Sequence, residues 1–110
     1  MNFYIGNTVE EIDCEDYNIE FCDELIDFIY KLRGICSFDM SKLYQINPYD
    51  DVRIPKSDLQ QIIGICNYLL KTSLIQTYKG PDEGEEMLRM LINIAGEAML
   101  NDKGLISIGD

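Results

Sequence analysis

The side chains of this 110-residue chain that could do chemistry are 20 acids and four cysteines, and histidine is absent. Without histidine, nucleophilic catalysis by a Ser–His or Cys–His pair is excluded. The glycines form no phosphate-binding loop, because Gly80-Pro81 and Gly104 lack the required spacing and the lysine that should follow. Hydrolysis by two facing carboxylates needs a cleft that no pattern here indicates, so we predict that the protein is not an enzyme.

Two acidic clusters are candidate metal sites. Asp50 and Asp51 lie in a turn, NPYDDVRIP, and residues 81–86, PDEGEE, open a helical segment. Carboxylates on a turn can bind a divalent cation, but the spacing of these acids fits no calcium loop. A solvated turn and an acidic first helical turn explain the two clusters, so the sequence predicts no metal site and no cofactor.

The cysteines, Cys14, Cys22, Cys36 and Cys66, are irregularly spaced and include no Cys-x-x-Cys pair. A structural zinc site is therefore not expected. The N-terminal sequence MNFYIGNTVEEID has neither the basic start nor the apolar region of a secretion signal, and no apolar run approaches the roughly 20 residues of a membrane span. We therefore predict a cytoplasmic protein with free thiols, of which Cys66 is a core residue.

The acids are concentrated in one part of the chain. The formal net charge is −11, and residues 10–27 contain nine acids and no base. Such a charge repels nucleic acids and anionic membranes and attracts a basic surface, although solubility alone also explains many acidic proteins.

Tyrosines lie among these acids, and this combination is typical of a surface that binds a basic protein. A tyrosine ring supplies contact area at low entropic cost, while carboxylates steer association and pair with lysine or arginine. The predicted partner-binding residues are Glu15, Asp16, Tyr17, Glu20, Asp23, Glu24, Asp27 and Tyr30.

Hydrophobic periodicity predicts an α+β fold that is mostly α, in a single domain. Three main helices are expected at about 21–33, 56–71 and 82–102, with short strands near 2–5 and 105–108. The helix at 56–71 is the centre of the fold, because no charged residue occurs between Leu59 and Leu70 and its apolar side chains cover an arc of roughly 160°. An arc that wide needs neighbouring elements on two sides.

Local signals predict where the helices begin and end. Ser57 and Asp58 supply side-chain oxygens for capping the central helix. Gly34 and Gly104 are expected to stop the first and last helices. The ion pairs expected at i,i+4 spacing are Asp27–Lys31 and Glu85–Arg89.

Several connecting segments have more than one interpretation. Residues 17–21 form either a surface loop or a strand, and 35–46 either an irregular segment or a short helix capped by Asp39. Residues 72–78 are equally compatible with helix and strand. The C-terminal strand is a candidate partner for the N-terminal one.

The small, acidic chain, with ICNYLL in its central helix and GLISIGD at its end, resembles immunity proteins of bacterial toxin systems. The likeness covers overall character, and no functional residue is carried over from it. The resemblance implies a protein that binds a cognate toxin, often a basic nuclease, and blocks it by covering the active site with acids.

The leading hypothesis is therefore an acidic binding protein that neutralises a basic protein partner. The alternative is a regulatory or adaptor subunit that uses an apolar helix face, with acidity only for solubility. A carboxylate–metal enzyme is a third and weaker class. Salt discriminates the first two, because electrostatically steered association slows steeply as ionic strength rises.

Overall fold

A computed structural model describes residues 1–109 of the chain. These residues contain four α-helices and a four-stranded antiparallel sheet, which confirms the predicted α+β, mostly helical class. The strands are β1 (Asn2–Ile5), β2 (Asn18–Glu20), β3 (Val52–Ile54) and β4 (Leu105–Ile108), and the helices are α1 (Asp23–Leu32), α2 (Ser41–Tyr44), α3 (Lys56–Lys71) and α4 (Pro81–Leu100). Short 3₁₀ segments lie at Val9–Glu11 and Leu74–Thr77.

The first and last strands form the centre of the sheet. The strand order is β2-β1-β4-β3, and each neighbouring pair is antiparallel. β1 pairs with β4 along its whole length, from Asn2 opposite Ile108 to Ile5 opposite Leu105. The predicted strands at 2–5 and 105–108 are confirmed, and so is their pairing. Each edge strand has only three residues, which limits the backbone open to unwanted pairing.

The helix α3 lies in the core, as its uncharged sequence predicts. Its buried side chains are Leu59, Ile62, Ile65, Cys66 and Leu69. They belong to one cluster with buried residues of α1, α4 and the sheet. Burial raises the pKa of the Cys66 thiol to about 12, so this side chain behaves as a small apolar group. All four cysteines are free thiols, as predicted.

The predicted capping of α3 by Ser57 and Asp58 is wrong. The helix begins at Lys56, directly after the extended residue Pro55, and no side chain caps it. Asp58 lies inside the first turn, where its carboxylate is 3.5 Å from the Lys42 ammonium of α2. The predicted span of 56–71 is nevertheless confirmed, because Pro55, whose fixed φ suits an extended residue, precedes the first helical residue, Lys56.

The prediction that Gly104 stops the last helix is also wrong. α4 ends at Leu100, and the chain turns at Asp102, which has a left-handed φ of 57°. Gly104 is needed for packing, because a Cβ at this position would lie 2.2 Å from the Ile54 carbonyl oxygen and 3.2 Å from the Lys56 nitrogen. The absence of a side chain at Gly104 thus lets β4 approach the chain that enters α3.

The other helix ends differ from the prediction by one or two residues. α1 begins at Asp23 because Phe21 still belongs to the sheet region, where its N–H donates to the Met1 carbonyl at 2.9 Å. α4 begins at Pro81, which is suited to a first helical position. Gly34 follows the end of α1, as predicted. Nowhere in residues 1–109 does a helix combine the length and hydrophobicity that crossing a membrane requires.

The structure resolves the segments that had two interpretations. Residues 17–21 contain the strand β2, and residues 72–78 contain the 3₁₀ segment, which is neither α-helix nor strand. The Asp39 carboxylate accepts the Ser41 N–H at 2.9 Å, and the short helix α2 follows. The side chains of Met40, Leu43 and Ile46, in and beside this short helix, are buried.

Candidate partner-binding groove

A groove of about 710 Å³ runs beside α1, between that helix, the residues around Tyr49 and the residues that precede α4. Its lining combines five aromatic rings, three carboxylates and two lysine ammonium groups. We call it the α1 groove. Its lining residues are Asp23, Glu24, Ile26, Asp27, Phe28, Tyr30, Lys31, Tyr44, Pro48, Tyr49, Tyr78 and Lys79.

Helical periodicity places the acids of α1 at this groove. Leu25, Ile29 and Leu32 are buried at spacings of four and three residues, which fixes the opposite face outward. Asp23 and Glu24 occupy the first turn, where the helix dipole favours negative charge. The same amphipathic pattern that anchors α1 to the core therefore lines the groove with carboxylates.

One wall of the groove is built around Tyr30. Its ring is 43% exposed and meets the ring of Tyr44 edge-on, with centroids 5.3 Å apart. The Arg33 guanidinium lies 3.6 Å from the centroid of the Tyr30 ring and donates to the Tyr30 carbonyl at 3.0 Å. This wall thus already holds one guanidinium group by a cation–π contact.

The inner part of the groove is formed by Tyr78 and Phe28, whose centroids are 5.0 Å apart. Tyr78 is 8% exposed, and its hydroxyl lies 3.5 Å from the Cys22 sulfur. Burial, assisted by this hydrogen bond, raises the pKa of the Tyr78 phenol. Tyr78 and Phe28 thus supply mostly buried ring surface at the inner end of the groove.

Each of the three groove carboxylates has a partner in the protein itself. Asp27 pairs with Lys31 at 2.8 Å, which confirms the predicted i,i+4 pair, and Glu24 pairs with Lys79. The Tyr49 hydroxyl donates to the Asp23 carboxylate at 3.1 Å. These contacts are exposed to solvent. The groove therefore carries carboxylates, but each of them already has a hydrogen-bond or ion-pair partner in the free protein.

The structure divides the eight predicted partner-binding residues into two groups. Asp23, Glu24, Asp27 and Tyr30 line the α1 groove. The remaining four, Glu15, Asp16, Tyr17 and Glu20, are exposed on the chain before α1 and do not line it. The Asp16 carboxylate accepts the N–H of Asp13 at 3.0 Å, so part of this acidity shapes the loop itself.

Sequence reasoning missed the residues that complete the groove from outside α1, above all Tyr49 and Lys79. The Tyr49 N–H donates to the Asn47 side-chain oxygen at 2.9 Å, and the resulting turn leaves the Tyr49 ring 66% exposed. The NPYDD sequence signals that turn, with an aromatic residue at its tip. No sequence signal places the turn beside α1, because Tyr49 and Asp23 are 26 residues apart.

The acidic clusters considered as metal sites have structural roles. Asp50 accepts a hydrogen bond from the Asn47 side chain at 2.9 Å, and Asp51 accepts one from the Gly109 N–H at 3.2 Å. Glu85, in the other cluster, pairs with Arg89 at 2.8 Å, as predicted. Within residues 1–109, no three acidic or cysteine side chains are grouped so that they could hold a metal ion.

Comparison with known proteins assigns no role to the groove. No protein-family model matches the chain, and no curated protein or solved structure is significantly similar to it. The functional argument therefore depends on the shape, charge and chemistry of the α1 groove.

Proposed function

We propose that this protein is a non-enzymatic binding protein whose α1 groove binds a basic protein partner and neutralises it. In its specific form, the proposal is an immunity protein that blocks a cognate bacterial toxin, such as a nuclease. The observation that carries the proposal is the combination of three carboxylates, those of Asp23, Glu24 and Asp27, with the exposed rings of Tyr30 and Tyr49 along one groove.

The chemistry of the groove suits a basic protein surface. Tyrosine rings bury a large contact area while losing little side-chain entropy, and they are enriched among the residues that dominate binding energy. Carboxylates beside them pair with lysine or arginine and suppress binding of acidic proteins. A groove that offers both groups selects a partner by charge and then holds it by contact area.

The acidity outside the groove supports the same function at longer range. The chain has a formal net charge of −11, and the segment before α1 carries Glu15, Asp16 and Glu20 beside Tyr17, which is 59% exposed. A field of this sign accelerates the approach of a positively charged protein before any contact forms. This contribution is reduced by salt, because the screening length is roughly 10 Å at 0.1 M ionic strength.

The adaptor alternative requires an apolar helix face that is open to solvent. Among residues 1–109, the large hydrophobic side chains that are exposed on α-helices are Tyr30 and Leu100, and they belong to different helices. The other exposed ones lie in a 3₁₀ segment, in loops and in turns: Val9, Tyr17, Ile35, Phe38 and Tyr49. This distribution favours the acidic groove over an apolar helix face as the binding surface.

The proposal predicts that a basic protein partner is encoded beside this gene, and the test is the interaction with that protein, measured as association rate and affinity at several salt concentrations. Replacement of Asp23, Glu24 and Asp27 by lysine should lower the affinity by orders of magnitude. The variant should remain folded with a modestly lower unfolding temperature, because all three side chains reach solvent but two of them lie in the first turn of α1, where the helix dipole favours negative charge. In cells, the unmodified protein should relieve growth arrest caused by that partner, and the triple variant should not.

The matched control reverses three exposed acids outside the groove, Glu10, Glu86 and Glu97, and changes the net charge by the same amount. It should slow association but retain most of the affinity. If both triple variants lose affinity equally, binding depends on overall charge and the groove is not the site. If the association rate of the unmodified protein ignores salt, the proposed electrostatic mechanism is wrong.

A further inference from the structure

We infer that the α1 groove selects arginine side chains, and that Lys79 occupies the Glu24 carboxylate until an arginine of the partner replaces it. The inference rests on the proposed function, since it names the chemistry of the partner at the same groove. It depends on three observations: aromatic rings beside carboxylates, a guanidinium already bound to one of those rings, and an exposed lysine in the position of a ligand cation.

The first observation is the pairing of a ring with a carboxylate. The Tyr49 hydroxyl lies 3.1 Å from an Asp23 carboxylate oxygen, and Tyr49 as a whole residue is 66% exposed. A planar guanidinium that stacks on this ring therefore lies beside a carboxylate to which it can donate two hydrogen bonds. A lysine ammonium makes the ion pair but has no planar face with which to stack. The groove thus distinguishes the two basic side chains.

The second observation is the guanidinium that the protein itself supplies. The Arg33 guanidinium lies 3.6 Å from the centroid of the Tyr30 ring, and Tyr30 lines the groove although Arg33 does not. Tyrosine and arginine side chains thus already form, in the free protein, the contact proposed for the partner at Tyr49.

The third observation is the Lys79–Glu24 ion pair. It joins residues 55 positions apart, and the side chains of Lys79 and Glu24 are 71% and 56% exposed. An exposed pair of this kind contributes little to stability, because water screens it and two long side chains must be ordered. Lys79 therefore neutralises Glu24 in the free protein but can be replaced at small cost by a guanidinium, which can donate two parallel hydrogen bonds to the carboxylate.

This arrangement makes Lys79 a competitor of the partner. Removing its charge leaves Glu24 without its cation in the free protein, so that a guanidinium gains the whole interaction without displacing a lysine. The expected consequence is unusual for a binding surface: a substitution that deletes an ion pair at the site should tighten binding.

The experiment uses the full chain and two synthetic peptides of equal length, one with alternating arginine and glycine and one with alternating lysine and glycine. Titration calorimetry should give several-fold tighter binding of the arginine peptide. Lys79→Gln should raise the affinity for the arginine peptide several-fold. The matched control is Lys103→Gln, which also removes one positive charge and one exposed ion pair, with Glu11 at 3.1 Å, but lies outside the groove. Its effect should be clearly smaller.

A second variant assigns any gain to the correct carboxylate. Combining Glu24→Gln with Lys79→Gln should remove the gain, because the carboxylate that Lys79 releases is then absent. If Lys79→Gln and Lys103→Gln raise the affinity for the arginine peptide equally, the inference is overturned, because the net charge alone would then explain the effect. Equal affinity for the two peptides would overturn arginine selection. If the groove reversal abolishes binding of the basic partner while Lys79→Gln gives no gain, the proposed function stands and only this inference fails.

Discussion

The helices α3 and α1 show how one chain separates its core from its binding surface. α3 has no charged residue between Leu59 and Leu70, and its apolar side chains are buried among α1, α4 and the sheet. α1 buries one face in that same cluster and turns Glu24 and Asp27 toward an open groove. Both helices thus have one buried side, but the exposed side of α3 carries uncharged polar residues such as Gln60, Gln61 and Asn67, whereas that of α1 carries carboxylates.

The comparison shows that the burial of a helix and the ability of its exposed face to bind a partner depend on different features. The position of α3 follows from the width of its apolar arc, which neighbouring elements have to cover on two sides. The character of the α1 groove depends on what is placed opposite the helix, namely Tyr49 and Lys79. Substitutions on α3 should therefore change folding, and substitutions on the groove face of α1 should change binding.

The largest expected effect is on α3. Leu59→Ala removes a side chain that is fully buried, and the lost burial together with the cavity should lower the free energy of unfolding by about 2–5 kcal/mol. Glu24→Ala on the groove face should change it by about 0.5 kcal/mol or less. Urea denaturation followed by circular dichroism measures both values. Similar losses in the two variants would contradict the division between core and groove.

The next effect concerns the glycine beside the start of α3. Gly104→Ala should destabilise the protein by about 1–3 kcal/mol, because the new methyl group would overlap the Ile54 carbonyl oxygen at 2.2 Å. The measurement is again the free energy of unfolding in urea.

The matched substitution for Gly104→Ala is Gly64→Ala, in the middle of α3. A Cβ at Gly64 has no atom within 4 Å, so alanine should stabilise the helix by about 0.5–1 kcal/mol. Opposite signs for the two variants would show that only Gly104 is required by packing. A loss of stability in both would contradict the open surroundings of Gly64.

A smaller effect is expected for the ion pair across the groove. A double-mutant cycle with Glu24→Gln and Lys79→Gln should give a coupling energy of about 0.2–1 kcal/mol in the free protein, as is usual for exposed pairs. The Asp27–Lys31 pair, which is similarly exposed, provides the comparison on α1 itself. A coupling well above this range would mean that the pair is structural, and Lys79 would then be a poor competitor for an arginine.

The smallest expected effect is the pH-dependent stabilisation of the fold by Glu11, an acid outside the α1 groove. Hydrogen bonds from the Asn7 N–H, the Lys103 ammonium and the Thr8 N–H lower the pKa of Glu11 below its ordinary value of 4.5. Because the folded-state pKa is the lower one, the stabilisation is complete above the unfolded value and is lost as the pH falls through the folded value.

Glu11→Gln should therefore lower the unfolding temperature slightly at neutral pH, and the difference from the unmodified protein should disappear as the pH falls below 4.5 toward the folded-state pKa. Thermal unfolding at a series of pH values measures this. Glu10→Gln, at an exposed neighbouring position, is the control for the loss of one negative charge. A difference that stays constant with pH would contradict the role assigned to the Glu11 carboxylate.

Much of the fold could be predicted because the spacing of hydrophobic residues along the chain indicates which side of each helix or strand is buried. The span of α3, the strands at the two ends and the helical face of α1 follow from periodicity that no tertiary contact overrides. The errors occurred where a distant segment decides a local feature. Gly104 was interpreted as a helix stop, but its neighbour in space is Ile54, and Phe21 was assigned to α1 although Met1 holds it at the sheet.

The candidate site could be predicted only in part, for the same reason. The acids and Tyr30 of α1 were identified because they lie together along one helix face. Glu15 and Asp16 were grouped with them by closeness in sequence, yet they do not line the groove. The rings and the lysine that complete the groove come from segments that no sequence pattern relates to α1.

The amino-acid sequence by itself determined which side chains are removed from water and how much negative charge remains outside, since both depend on composition and period. Only the tertiary structure decided which of those charges face a shared space, because the Tyr49 turn and the residues preceding α4 reach α1 through contacts 26 and 55 residues apart along the chain. Helices can form from local contacts, whereas a groove exists only after distant segments have packed around the same core.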